Sequence, residues 1–335
     1  MSDDSTATPD QSTAPATATE GQAKPCPVCG GTRSEEIARG PDYEYRSLPG
    51  DFAVLQCQDC GHAHLDPVPP IEHLQTIYPP TYYTVNPRSP IAFSPFIQKT
   101  KMKKDVGRIV SLSKDRELRS VVDLGCGDAE RLARVKAVLG DSVQCTGVDF
   151  QPDEARVKEL AERGVRMVTA NIEGGLDELE DGAHDLFIMC QIIEHLYDPA
   201  EALKSIAKKL RPGGRVLMET PNLGGLDYRL QKKTYWGGYH FPRHFHVFTR
   251  GSLQRIVDDA GLRTAKKGFI PSGFGIVGLR NKLGLSSIEP GRSFWEFISM
   301  KNLAVVGAFT VSDLLTIAIG GHTSNQFLLA EKPAD

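Results

Sequence analysis

The sequence predicts an α/β fold: a doubly wound, mostly parallel seven-stranded sheet preceded by a small cysteine-bearing module. Three observations carry that expectation. Strand-like and helix-like runs alternate over residues 120–220, a glycine-rich turn follows the first of those strands, and two Cys-x-x-Cys pairs stand near the N-terminus.

In chain order, residues 1–24 are rich in Ser, Thr, Ala, Pro, Asp and Gln and hold no aromatic side chain, which reads as a disordered tail. Residues 25–70 carry Cys26-Pro-Val-Cys29 and Cys57-Gln-Asp-Cys60, each pair followed by a glycine and the two separated by 27 residues. Four thiolates on two tight turns suit a tetrahedral zinc ion, so this unit is expected to be a zinc ribbon. A separation of about 15–20 residues is commoner for such pairs. The extra length need only form a hairpin. His62 and His64 are reserve ligands, and the metal is expected to be structural, supplying on the order of 10 kcal/mol to a unit too small to fold alone.

Residues 71–119 form a linker and a leading helix: Pro67, Pro69, Pro70, Pro79, Pro80, Pro87, Pro90 and Pro95 stiffen the connection, and 96–119 is basic and helical in pattern. The main domain, 120–335, then alternates strands at 120–124, 143–149, 166–170, 184–190 and 214–220 with helices at 130–139, 152–163 and 200–210. That order calls for helices on both faces of a parallel sheet, with ligands beyond the C-terminal strand ends. The rhythm breaks at 222–248, an aromatic and His-rich insertion. A helix at 252–260 follows, with Gly261 as C-cap, and strands at 264–270 and 324–331 enclose a second, apolar insertion at 273–320.

Composition narrows the function. The formal net charge is -3 and the pI about 6.3, so no basic field gathers nucleic acid. The N-terminus lacks the basic start and apolar run of a secretory signal, so a cytoplasmic chain with reduced thiols is expected. The apolar run 303–319 would be about 26 Å long as a helix and carries Asp313, so a buried helix or one in peripheral membrane contact is expected rather than a span.

The turn Asp123-Leu-Gly125-Cys126-Gly127 alone fits several nucleotide folds. A dinucleotide fingerprint wants Gly or Ala at 130, where Glu130 stands, and Asp128 with Glu130 would put two carboxylates where a pyrophosphate must sit. A ligand bearing a sulfonium and an ammonium is better served. In this the turn resembles the first motif of class I S-adenosylmethionine-dependent methyltransferases, with Ala129 in place of their usual third glycine. The resemblance implies that Asp123, Gly125, Cys126 and Gly127 meet the methionyl part of S-adenosylmethionine. Asp149 would then accept the ribose hydroxyls, Phe150 would cover the adenine, Asn171 and Ile172 would hold its edge, and Cys190 and Gln191 would lie beneath it. Glu194-His195-Leu196 and the turn 210–214 resemble two further family motifs. The paired knuckles and the blocks 66–83 and 235–248 are similar to a bacterial subgroup of methyltransferases with N-terminal ribbons, many acting on sugars, lipids or secondary metabolites.

Methyl transfer from a sulfonium needs alignment and at most one base. If 242–248 is extended, His244, His246 and Phe248 share a face that could line an acceptor pocket. His195, His244 and His246 are therefore the candidate bases, with Glu194 an orienting group. O-methylation of a sugar, lipid-linked or secondary-metabolite hydroxyl ranks first and C-methylation second. An RNA methyltransferase and a non-catalytic partner-binding subunit are the rivals. The fourth strand end, Cys190-Gln191-Ile192, lacks the Asn/Asp-Pro-Pro-aromatic signature of many nucleic-acid methyltransferases.

Overall fold

The computed structural model describes residues 25–80, 82, 91–112, 114–150, 152–174, 176–231, 234–285 and 294–334. The tail expected at 1–24, the prolines at 87 and 90 and part of the insertion 273–320 lie outside them. The first unit holds β1 (Ser34–Gly40), β2 (Phe52–Cys57) and β3 (Ala63–Asp66), then a short helix α1 (Leu74–Ile77). β1 and β2 pair antiparallel between the two knuckles, so the long spacing is taken up by a hairpin.

The leading helix α2 (Pro95–Leu112) opens on proline, whose missing N–H is no loss in a first turn. Next come β4 (Ser120–Leu124), α3 (Glu130–Leu139), β5 (Gln144–Asp149), α4 (Glu154–Glu162), β6 (Val165–Thr169), β7 (His184–Cys190), α5 (Pro199–Lys209) and β8 (Leu210–Pro221). The C-terminal third supplies α6 (Leu226–Gln231), β9 (His246–Val247), α7 (Arg250–Asp259), β10 (Arg263–Ile270), α8 (Phe274–Lys282), α9 (Leu303–Ala318) and β11 (Asn325–Glu331). Helix starts follow capping chemistry: the Asp198 carboxylate accepts from Glu201 N–H at 2.9 Å, and Thr249 and Ser252 form a reciprocal box.

Seven strands form one sheet in the order β10-β11-β8-β7-β4-β5-β6. All pairs from β8 to β6 are parallel, while β11 runs antiparallel to both neighbours. The α/β class, the seven strands and the mostly parallel sense expected from the sequence are all present. β4 is buried along its whole length, and its period of two sends Val121 into one core and Val122 into the other. Val121, Leu186 and Ile188 pack under α2, α3 and α4 through Ile109, Leu132, Val135 and Leu160. Val122, Phe187 and Met218 pack under α5 and α7 through Leu203, Ile206, Leu253 and Val257.

The small sheet was less foreseeable. Its order is β1-β2-β3-β9, and β9 comes from the 222–248 insertion, with Ala63 opposite Val247 and His64 opposite His246. A common core holds Phe52, Val54, Leu65 and Ile77 from the N-terminal unit beside Trp236, Tyr239, Phe241 and Phe245 from the insertion. Buried ion pairing reinforces the joint. Arg243, fully buried, donates to both Asp42 oxygens at 3.1 and 2.9 Å and to the Ile77 carbonyl at 2.6 Å, and lies 4.4 Å above the Tyr45 ring. The insertion is thus a packed wall whose aromatic side chains are largely core.

Candidate functional site

The site begins where β4 ends. Gly125 and Gly127 both have positive φ, +61° and +58°, and a Cβ on Gly125 would fall 2.1 Å from Ile192 Cδ1. Only glycine suits that position. Gly125 N–H donates to the Val148 carbonyl at 2.8 Å, and Gly127 N–H donates to Asp149 Oδ2 at 2.8 Å. The end of β5 and the glycine turn are therefore locked together, with the Phe150 ring 60% exposed beside them. Farther along the same edge, Asn171 Oδ1 accepts from Glu173 N–H at 3.1 Å, and Ile172 packs on the core. At the end of β7, Cys190 is half-buried, while Gln191 has φ +58° and donates its side-chain amide to Asn325 at 3.2 Å.

Asp123 behaves differently from its neighbours. Its carboxylate is fully buried and receives Arg131 Nε at 3.1 Å and Nη2 at 2.6 Å. Burial opposes the Arg131 charge, and the Asp123 carboxylate more than restores it, so Arg131 stays protonated. Nothing in the spacing of α3 announced Arg131, although an arginine eight residues past a motif aspartate, two turns along a helix, can reach back. Glu130 ties α3 to α4 through Arg156 at 3.0 Å and Arg163 at 2.8 Å. Those arginines outweigh its partial burial and hold its carboxyl down at about 2.

The candidate bases divide into two groups. His195 and His244 come together, ring centroids 4.7 Å apart, and His244 Nε2 lies 4.0 Å from Glu194 Oε1. The His195 Nδ1 is 3.0 Å from the Arg243 carbonyl and 2.9 Å from Tyr78 Oη, and His244 Nδ1 is 2.8 Å from the Gly238 carbonyl. Glu194 Oε2 accepts from Thr220 Oγ1 at 3.0 Å. Burial pushes the Glu194 carboxyl up to about 8 and holds His195 down to about 3. His246 sits elsewhere: its Nδ1 is 3.0 Å from His62 Nε2, its ring stacks near Phe248, and burial holds it down to about 4. The face expected to carry His244 and His246 together is split: β9 begins at His246, opposite His64, while the Phe245 N–H is drawn to the Glu194 carbonyl at 2.9 Å.

The four cysteines of the knuckles do converge. Cys26 Sγ is 3.6 Å from Cys60 Sγ, Cys29 Sγ is 3.5 Å from Cys57 Sγ, and all four lie within 4.8 Å of one another. Metal–sulfur bonds of about 2.3 Å put tetrahedral sulfurs about 3.8 Å apart. The donor set fits such an ion.

A parallel sheet with an antiparallel strand set between its last two members, and a glycine turn after the strand at its switch point, define a doubly wound, Rossmann-like α/β protein. The profile of the methyltransferase domain family matches residues 98–267, half of the chain, and the protein belongs to that family. It is 30% identical over 177 residues to a probable S-adenosylmethionine-dependent methyltransferase of Mycolicibacterium smegmatis, covering 51% of this chain and 62% of that one. It is also 30% identical over 160 residues to a ubiquinone biosynthesis O-methyltransferase of Cupriavidus pinatubonensis, covering 43% and 60%. The chain thus spans less than two thirds of the length of these relatives. Among solved structures it is similar to a SAM dependent methyltransferase from Archaeoglobus fulgidus, at 17% identity over 71% of this chain and 99% of that chain, with a TM-score of 0.45.

Proposed function

We propose that the protein moves the methyl group of S-adenosylmethionine onto a hydroxyl of a sugar, lipid-linked or secondary-metabolite acceptor. The observation that carries this is the 2.8 Å bond from Gly127 N–H to Asp149, which joins the glycine turn and the ribose-binding carboxylate into one socket. Gly125, Cys126 and Gly127 would flank the methionyl chain, Asp149 the ribose, Phe150, Asn171 and Ile172 the adenine, with Cys190 and Gln191 beneath. Asp123 would act through Arg131, as a positioning residue. In the transfer an acceptor oxygen lone pair takes the methyl, the carbon–sulfur bond breaks with its electrons going to sulfur, and the hydroxyl proton leaves. His195, partly buried five residues beyond β7, would face the acceptor, with His244 and Glu194 behind it. His246 belongs to the contact with β3 in this reading.

The four-cysteine centre is proposed to hold structural zinc, with 25–70 as the ribbon, 71–119 as linker and leading helix, and 120–335 as the methyltransferase domain. A greasy or lipid-linked acceptor is supported by α9, where Leu303, Val311, Leu314 and Leu315 are exposed while Asp313 turns inward to accept from Ser272 N–H at 2.8 Å. Among the described residues no helix is long and apolar enough to cross a membrane. C-methylation of a similar acceptor differs only in the attacking atom.

Calorimetric titration with S-adenosylhomocysteine tests the socket, and Asp149→Ala is expected to abolish the heat of binding; unchanged affinity would remove the assignment. Incubation with methyl-labelled cofactor and fractionated extract, read by mass spectrometry, identifies the acceptor and the atom methylated.

A further inference from the structure

Outside the cysteine knuckles, one other group of described side chains has ligand atoms within 4.8 Å of one another: Glu194, His195 and His244. We propose that these three bind a divalent transition-metal ion of the zinc or iron kind. Each member is held as a ligand must be held. His244 Nδ1 is committed to the Gly238 carbonyl at 2.8 Å, and His195 Nδ1 lies 3.0 Å from the Arg243 carbonyl, which can only accept, and 2.9 Å from Tyr78 Oη. In a neutral imidazole that leaves Nε2 as the lone-pair nitrogen, and a backbone carbonyl on the other nitrogen is the usual outer partner of a metal-bound histidine. The Glu194 carboxylate is oriented the same way, Oε2 accepting from Thr220 at 3.0 Å.

The second observation is independent of the clustering. Glu194 is fully buried, yet its Oε1 has no hydrogen-bond partner, and that oxygen is the one facing His244 Nε2 at 4.0 Å. A buried carboxylate oxygen without a partner costs roughly 1–3 kcal/mol or more, so such an atom calls for a counter-group. Imidazoles whose Nε2 carries the lone pair cannot donate to it; a proton on the carboxyl or a cation between the three can, and only the cation engages both imidazoles at once. Metal–nitrogen and metal–oxygen bonds of about 2.0–2.2 Å would require the donors to close by about 1 Å, within the reach of side-chain rotation. Two His and one carboxylate leave coordination positions open, the pattern of a working rather than a structural centre.

The segment between β7 and α5 supplies two of the three ligands and the packed insertion supplies the third, so metal binding would also brace the insertion against the sheet. Resting on the methyl-transfer reading above, the ion would act as Lewis acid on the acceptor hydroxyl, lowering its pKa so that the proton leaves to solvent before the oxygen attacks.

The test uses the full chain purified from cobalt-supplemented cells, read by elemental analysis and absorption without acceptor or turnover, so its failure leaves the methyl-transfer reading untouched. The expected result is one more ion per chain than the cysteines hold. The spectrum should combine intense thiolate-to-cobalt charge transfer with a weaker ligand-field band free of sulfur. Glu194→Gln and His244→Gln should lose that extra ion and band while keeping the charge transfer, which reports a folded knuckle site. Wild-type chain with only the cysteine-bound ion overturns the proposal, as does retention of the extra ion in both variants. If a variant loses the charge transfer as well, the wild-type stoichiometry decides.

Discussion

Single residues set the terms of the proposed cofactor socket. Gly125 is constrained twice, by a positive φ and by Ile192 lying where a Cβ would go. Gly125→Ala should cost about 1–2 kcal/mol from the left-handed backbone alone, with a further clash penalty, and should weaken S-adenosylhomocysteine binding in the same calorimetric titration. Gly127→Ala meets no atom within 4 Å and should pay only the backbone part, so the two variants separate packing from conformation. The glycines, Asp149, Phe150 and the cysteine pairs were legible because each sits at a fixed offset in a short motif. Arg131 was not, since its partner Asp123 is defined by a helix turning back over the loop.

Between elements, charge ties α3 to α4. Glu130 accepts from Arg156 and Arg163, and its carboxyl is held at about 2 against an unfolded value near 4.5. A depressed carboxyl pKa contributes stability that is present above the unfolded pKa and lost as pH falls through the folded one. Glu130→Gln should therefore lower unfolding free energy by about 1–2 kcal/mol at neutral pH, after allowing for solvent screening. The difference should shrink between pH 4.5 and 2, as read by urea unfolding at a series of pH values; a constant gap would assign the effect to packing. Helix and strand order from 120 to 221 followed from periodicity, because strands buried on both faces and helices with one apolar stripe leave different spacings. The two residues of β9 left no such signal: a pair is too short to show a period.

Across the whole molecule, the N-terminal unit and the 222–248 insertion are one construction. If the knuckles hold zinc as proposed, removing it with a strong chelator should therefore loosen more than the knuckles. Hydrogen exchange is expected to rise at Leu65, whose N–H donates to the Phe245 carbonyl at 2.9 Å, and along β9, while β4 and β5 keep their protection. Exchange confined to residues 26–60 would mean that the insertion stands without the ribbon. The buried Arg243–Asp42 pair makes the same joint from the other side. Asp42→Asn should destabilise the chain by about 3–5 kcal/mol, since it leaves a buried guanidinium without its counter-charge. A loss under 1 kcal/mol in denaturant titration would show that Arg243 finds other partners.

The sequence by itself determined the class of fold, the glycine turn and the cysteine pairs, because each depends on residues close in the chain, where spacing and local backbone demands suffice. Only the tertiary structure decided that His244 stands with Glu194 and His195 while His246 faces His62, and that an insertion from the second half completes the first sheet. Those outcomes rest on pairings across more than 40 residues, settled by which buried surfaces and hydrogen bonds can all be satisfied together, and no local pattern records that competition.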